Sequence, residues 1–205
     1  MTMRLTWMVI GLTAAALTCV SHAADNPKAA VAEDKAEQLE KKVVEDAAPP
    51  KKPETITPAE VQAVDPAGQA PLDDSITCLA RSIYWEAKGA DARDMSAVAS
   101  VVINRLGHDG FPDTICGVVK QGVETKACQF SWWCDGRSDQ VEEASRYEVA
   151  KEIARKALNQ QLKDPTGGAL YFHDRKVHPA WAKAYRKTAE TRHFLFYKPN
   201  QALAR

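Results

Sequence analysis

The stretch Ser75–Gly89, SITCLARSIYWEAKG, constrains the chain most, because it reads as an amphipathic helix that ends on an acid. Asp74 or Ser75 can cap its start. Ile76, Leu79, Ala80, Ile83 and Ala87 recur at helical spacing, and Gly89 is a left-handed stop. Glu86 then falls in the last turn, about 60° from the apolar stripe at roughly 100° per residue, so it borders the buried face. Desolvation and the negative end of the helix both disfavour its anion, which predicts a raised pKa. A carboxyl group protonated near neutrality is what a general acid requires, and Tyr84 and Trp85 beside it are candidates to wall such a site. The competing reading is a last-turn glutamate that is merely solvated.

Three compositions divide the chain. Residues 1–23 combine Arg4, an apolar run from Trp7 to Val20 and the small-residue ending Ser21-His22-Ala23. The run is shorter than the roughly 18 to 20 residues that span a bilayer, so it reads as a signal peptide cleaved after Ala23, with no stable membrane insertion afterwards, a retained anchor being the minority reading. Residues 24–72 hold seven prolines, no aromatic residue, and six lysines against ten acids. Such a composition cannot offset the entropy of ordering by itself, which predicts a disordered linker. Residues 73–205 are long enough for one compact domain with one core.

That domain is only weakly basic and has no stripe of interleaved cations and aromatics, which argues against a nucleic-acid partner. No glycine-rich phosphate loop is present, and no cofactor is expected. Cys78, Cys116, Cys128 and Cys134 make an even count that suits two disulfides in an exported protein. Three connectivities are open, and the bridges are expected to tie the Glu86 helix and the segment after the second helix to the loop around Gln129. A zinc site using these cysteines with His173, His178 or His193 is disfavoured, because no Cys-x-x-Cys pair occurs.

The pattern predicts a central helix over Ala92–Leu106, a short one from Thr114 through Val119 and a long one over about Asp139–Leu162. In the long helix Ala144, Tyr147, Ala150, Ile153, Ala154, Ala157 and Leu158 face inward. Asn104 and Arg105 close the central helix and are within reach of the site, although satisfying its last carbonyls is their expected use. Cys128-Gln-Phe-Ser-Trp-Trp-Cys134 alternates as a short strand or hairpin arm, with Gln129 and Ser131 opposite Phe130 and Trp132, and a disulfide-stapled β-turn with surface polar residues is the equal alternative. Ala169–His173 and His193–Tyr197 are strand candidates able to pair antiparallel, and Pro179–Tyr185 is read as a helix. The fold class is mainly α (α+β), with a small antiparallel β element.

Several ordered segments resemble the SleB-type cell wall hydrolases, which include spore cortex-lytic enzymes. They are LARSIYWEAKGA, VASVVINRL, FPDTICGVV, QFSW, DPTGGALYFH and TRHFLFY, and the match they carry extends over nearly the whole of residues 76–198. The resemblance implies a lysozyme-like helical domain that cleaves peptidoglycan glycan strands as a monomer, with Glu86 as catalytic acid. It also implies substrate contacts from Gln129, Phe130 and Ser131, with Tyr171, His173 and His193 in the groove wall. A glycosidase of the usual kind needs a second carboxylate, and Glu124, Asp135, Asp174 and Glu190 offer themselves only as loop acids. Lytic transglycosylation needs a single acid, so it is the expected route, with hydrolysis by water the alternative. A wall-binding module without turnover is the reading from another class. The exported, disulfide-bonded domain behind a proline-rich stretch fits a periplasm.

Overall fold

The computed structural model describes residues 26–125 and 128–200, so the signal read over 1–23 lies outside the described residues. Helix α3 (Ser75–Glu86) starts where the Asp74 side chain accepts from the Thr77 backbone, and buries Ile76, Leu79, Ala80 and Ile83. Helix α4 (Ala92–Arg105) starts where Asp91 accepts from the backbones of Arg93 and Asp94. Its apolar sides, Ala97, Val98, Val101 and Val102, are fully buried, as a helix apolar nearly all round must be. Helix α5 (Ile115–Lys120) is capped by Thr114. With α6 (Ala144–Leu158), these helices form the core layer, in which α3 packs against α4, α5 and α6.

Helix α6 is shorter at both ends than its periodicity predicts, and Ala144 is exposed. The cause at the start is polar: the Asp139 carbonyl accepts from Arg81 at 2.6 Å and from Trp85 at 3.1 Å. The Glu142 and Glu143 N–H groups both donate to the Tyr84 hydroxyl, which holds this run outside the helix. At the far end the Asn159 side chain pairs with both backbone groups of Ile56, each at 2.9 Å.

Strands β1 (Tyr171–Asp174), β2 (Tyr185–Glu190) and β3 (Phe194–Pro199) form an antiparallel sheet in the order β1-β3-β2. The expected pairing of the two aromatic strands is present, with Tyr171 opposite Tyr197 and His173 opposite Leu195. The helix expected over Pro179–Tyr185 is a single 3₁₀ turn, Ala180–Lys183, and β2 begins at Tyr185, where the helix was expected to end. Tyr185 and Thr188 suit an edge strand, and a bulge between Lys187 and Ala189 lets its charged residues stay exposed.

The linker expectation for 24–72 is overturned in the described part. Helix α1 (Pro27–Val44), a 3₁₀ turn at Lys52–Glu54 and helix α2 (Pro58–Ala63) pack onto the domain. Ala29, Ala32, Ala36 and Leu39 form a narrow stripe that is buried against it. A stripe of alanines cannot build a core, but it allows close approach to a core that already exists. Burying Leu39 alone contributes about 2 kcal/mol. Buried Glu40 accepts from the Ser75 hydroxyl and from the Ile115 N–H, both at 2.7 Å, so α1 caps α5 from outside. Asp65 pairs with Arg81 at 2.8 Å, the two side chains being 2% exposed, and also accepts from Tyr147.

The disulfides are Cys78–Cys116, which ties α3 to α5, and Cys128–Cys134, which closes a loop of sequence separation 6. No bridge therefore joins the Glu86 helix to the Gln129 loop, contrary to expectation, and no thiolate remains among the four for zinc. The segment closed by Cys128–Cys134 forms a 3₁₀ turn, Ser131–Trp133, and not a strand or hairpin arm, in keeping with the stapled-turn alternative. The burial alternation survives, with Phe130 and Trp132 buried and Gln129 and Ser131 exposed.

Candidate active site

Glu86 is the last residue of α3 and is partly exposed, between buried Ile83 and Ala87. Ser82 and Cys78 lie one and two turns back on the same stripe, so the bridge to α5 fastens the face that carries the acid. Among the described residues the Glu86 carboxyl has no ion pair within 4.0 Å. Burial raises its pKa to about 7, and Arg105 pulls in the opposite direction. At neutral pH both protonation states are therefore well populated, which suits a group that must give a proton and then accept one.

Arg105, at the end of α4, was expected mainly to serve helix carbonyls, and the structure encloses it among aromatic rings instead. It is 3% exposed, and its Nε donates to the Leu170 carbonyl at 2.7 Å. Its guanidinium carbon lies 5.1 Å from the Phe111 ring centroid, 5.2 Å from that of Phe130 and 5.6 Å from that of Tyr171. Burial lowers its pKa to about 10, while Tyr171 and Glu86 raise it. The sequence signal was its position three residues after Val102, on the apolar side of a helix. Beyond it, Tyr171 contacts Trp181 and Tyr185, giving a partly exposed aromatic surface on the outer face of the sheet.

The other predicted site residues separate into three groups. Gln129 and Ser131 are exposed beside buried Phe130, which touches Arg105, and Tyr171 joins them from β1. Tyr84 and Trp85 do not wall the site. Tyr84 is 1% exposed, with its hydroxyl accepting from the Glu142 and Glu143 backbones, and the Trp85 indole donates to Asp139. Tyr84, two residues before Glu86, points about 200° away around the helix, so one face cannot present both.

The histidines are occupied in structural bonds. His173 is 8% exposed, with Nε2 3.1 Å from the Tyr197 hydroxyl and Nδ1 2.9 Å from the Asp174 carbonyl. It is a satisfied core histidine, not groove wall. His193 Nδ1 lies 2.7 Å from fully buried Asp94. Asp94 is in the first turn of α4, about 16 Å by helical rise from Arg105 in the last.

The alternative carboxylates are solvated or held in local bonds. Glu124 and Asp135 are exposed, Asp174 accepts from the Lys176 backbone, and Glu190 pairs with Lys187 at 3.0 Å. A separate cleft between α1, α4 and α6 includes Lys42, Ser100, Asn104 and Gln160 but not Glu86.

A family described as Cell Wall Hydrolase matches residues 89–197, a span that begins three residues after Glu86. A spore cortex-lytic enzyme of Halalkalibacterium halodurans is 33% identical over 109 residues, which are 52% of this chain and 28% of that protein. One from Oceanobacillus iheyensis is 36% identical over 100 residues, 48% of this chain and 32% of the relative. The chain thus spans about a third of the length of these relatives. Among solved structures, the catalytic domain of the Bacillus cereus SleB protein is similar at 27% identity, covering 60% of this chain and 89% of that one, with a TM-score of 0.48. The catalytic domain of the germination-specific lytic transglycosylase SleB from Bacillus anthracis is similar at 28% identity, covering 60% and 93%, with a TM-score of 0.49.

Proposed function

Because the chain belongs to the cell wall hydrolase family, we propose that it cleaves the glycan strands of peptidoglycan, with Glu86 as its single catalytic acid and base. The observation that carries this reading is a carboxyl titrating near 7 whose charged neighbour is a cation and not a second carboxylate. A second acid is needed to hold a nucleophilic water or form a glycosyl ester. Lytic transglycosylation between N-acetylmuramic acid and N-acetylglucosamine needs neither.

In that route Glu86 gives its proton to the glycosidic oxygen as the bond to the anomeric carbon breaks. The resulting carboxylate then takes the proton of the muramyl 6-hydroxyl as that oxygen closes on the same carbon, which leaves a 1,6-anhydro ring. The acid is thereby restored and no water is consumed. Exposed Gln129 and Ser131 and the ring of Tyr171 supply polar and stacking contacts to the strand. The basic, apolar and small-residue order of residues 1–23 supports export and action in the periplasm.

Purified sacculi test both parts. Wild-type protein is expected to release muropeptides with anhydro ends, lighter by one water than hydrolytic products, and reducing ends alone would establish hydrolysis instead. Glu86→Gln is expected to bind sacculi while losing about 10²- to 10⁴-fold in release. Equal release by the variant would end the assignment, and binding without turnover by the wild type would make the protein a wall-binding module.

A further inference from the structure

We propose that Trp181, with Tyr171 and Tyr185, forms a platform on the outer face of the sheet, on which a muramyl sugar of the glycan strand stacks at a subsite beyond Tyr171. This rests on the reading of the protein as a glycan-cleaving enzyme.

The sheet has two unlike faces. Phe194 and Phe196 point into the core, both buried. Tyr171 and Lys187 are each opposite Tyr197, so the two-residue period puts Tyr171, His173, Tyr185 and Tyr197 together on the other face. The 3₁₀ turn Ala180–Lys183 sets Trp181 onto that face. Its ring centroid lies 5.8 Å from that of Tyr171, 5.5 Å from those of Tyr185 and Tyr197, and 5.6 Å from that of His173. His173 and Tyr197 are buried, whereas Tyr171, Trp181 and Tyr185 keep part of their surface in solvent.

These three rings meet at interplanar angles of 46° to 55°, so none covers another's face by parallel stacking. Adjoining exposed rings with a polar rim mark a binding surface. A pyranose fits it, with an apolar C–H face for the rings and hydroxyls for the rim. The platform also continues the candidate site, because the Tyr171 ring lies 6.0 Å from that of Phe111 and 5.6 Å from the Arg105 guanidinium carbon.

Charge selects which sugar. Residues 171–200 hold seven lysines and arginines against two acids. Both acids are engaged locally, Asp174 by the Lys176 backbone and Glu190 by Lys187. Lys183, in the same turn as Trp181, is exposed and has no ion pair among the described residues. A muramyl unit brings the carboxylates of its lactyl group or stem peptide to such a rim, and a neutral glucosamine polymer brings none.

The test reads binding apart from turnover, by co-sedimenting E86Q, E86Q/W181A and E86Q/W181F with purified sacculi after each is checked for fold by circular dichroism. The dissociation constant is expected to rise roughly 3- to 10-fold with W181A and to stay within about twofold with W181F, which keeps a ring. Unchanged binding with W181A overturns the proposal. In the protein that retains Glu86, W181A is expected to raise the sacculus concentration at half-maximal release by the same factor while the maximal rate is kept. A fall in maximal rate alone would make Trp181 a structural cover and overturn the proposal equally. Chitin oligosaccharides are expected to bind E86Q more weakly than muramyl strands of equal length, and equal affinity overturns the choice of occupant.

Should W181A not fold, E86Q/Y185A carries the same expected shift, and unchanged binding there also overturns the platform. Binding that depends on Trp181 in a protein whose wild type releases no muropeptides refutes the enzymatic reading alone. Normal release with binding indifferent to Trp181 refutes the platform alone.

Discussion

At the scale of single residues, the raised pKa of Glu86 has a thermodynamic consequence separable from catalysis. A carboxyl whose folded pKa lies near 7, against an ordinary 4.5, binds more protons in the native state between those values. Stability contributed by this group is therefore present below about pH 4.5 and is lost as pH rises through about 7. Glu86→Gln is expected to be more stable than wild type by on the order of 2 kcal/mol at pH 8, the difference vanishing near pH 4. Urea unfolding at the two pH values measures it, and a variant no more stable at pH 8 would contradict the assigned burial. The acid's border position was legible from its spacing to Ile83. The roles of its neighbours were not, because adjacency in sequence suggested Tyr84 and Trp85, whereas helical geometry sends Tyr84 into the core. Arg105 was misread for a similar reason: a last-turn arginine ordinarily serves helix carbonyls, and only the rings of Phe111, Phe130 and Tyr171, distant in sequence, enclose it.

At the scale of elements, long apolar periodicity was read well and short or charged segments were not. Helices α3 and α4 and the pairing of β1 with β3 follow from Ile83, Val98 and Phe196 recurring at their proper periods, each fully buried. Strand β2 escaped because Arg186, Lys187 and Glu190 leave little apolar pattern on an edge. The start of α6 slipped because side chains of α3 occupy the backbone groups before it. The two disulfides should differ in worth, since loop closure grows with the length closed. Cys78–Cys116, with a separation of 38, is expected to contribute about 4 kcal/mol, and Cys128–Cys134, with a separation of 6, about 2 kcal/mol. Paired Cys→Ala variants compared by urea unfolding check the order, and the reverse order would contradict the loop-entropy account.

At the scale of the whole molecule, the domain is larger than its family match. Residues 26–72 lie outside the matched span, yet they supply Glu40 to α5 and Asp65 to Arg81. Their alanine-rich composition was read as a spacer because it lacks a core of its own, and composition alone does not show that another layer supplies one. Removing one partner of a buried pair leaves an uncompensated charge, so Asp65→Ala is expected to cost about 3 to 5 kcal/mol. A loss under 1 kcal/mol in urea unfolding would contradict the assigned contribution of the Asp65–Arg81 pair.

The central claim is that one carboxyl both titrates near neutrality and governs cleavage. Its most direct test is to follow the Glu86 carboxyl by NMR and muropeptide release from sacculi across the same pH series. The account predicts that release falls on the alkaline side with the midpoint of the carboxyl, near 7. A carboxyl that titrates near 4.5 while release continues unchanged to pH 8 would contradict it.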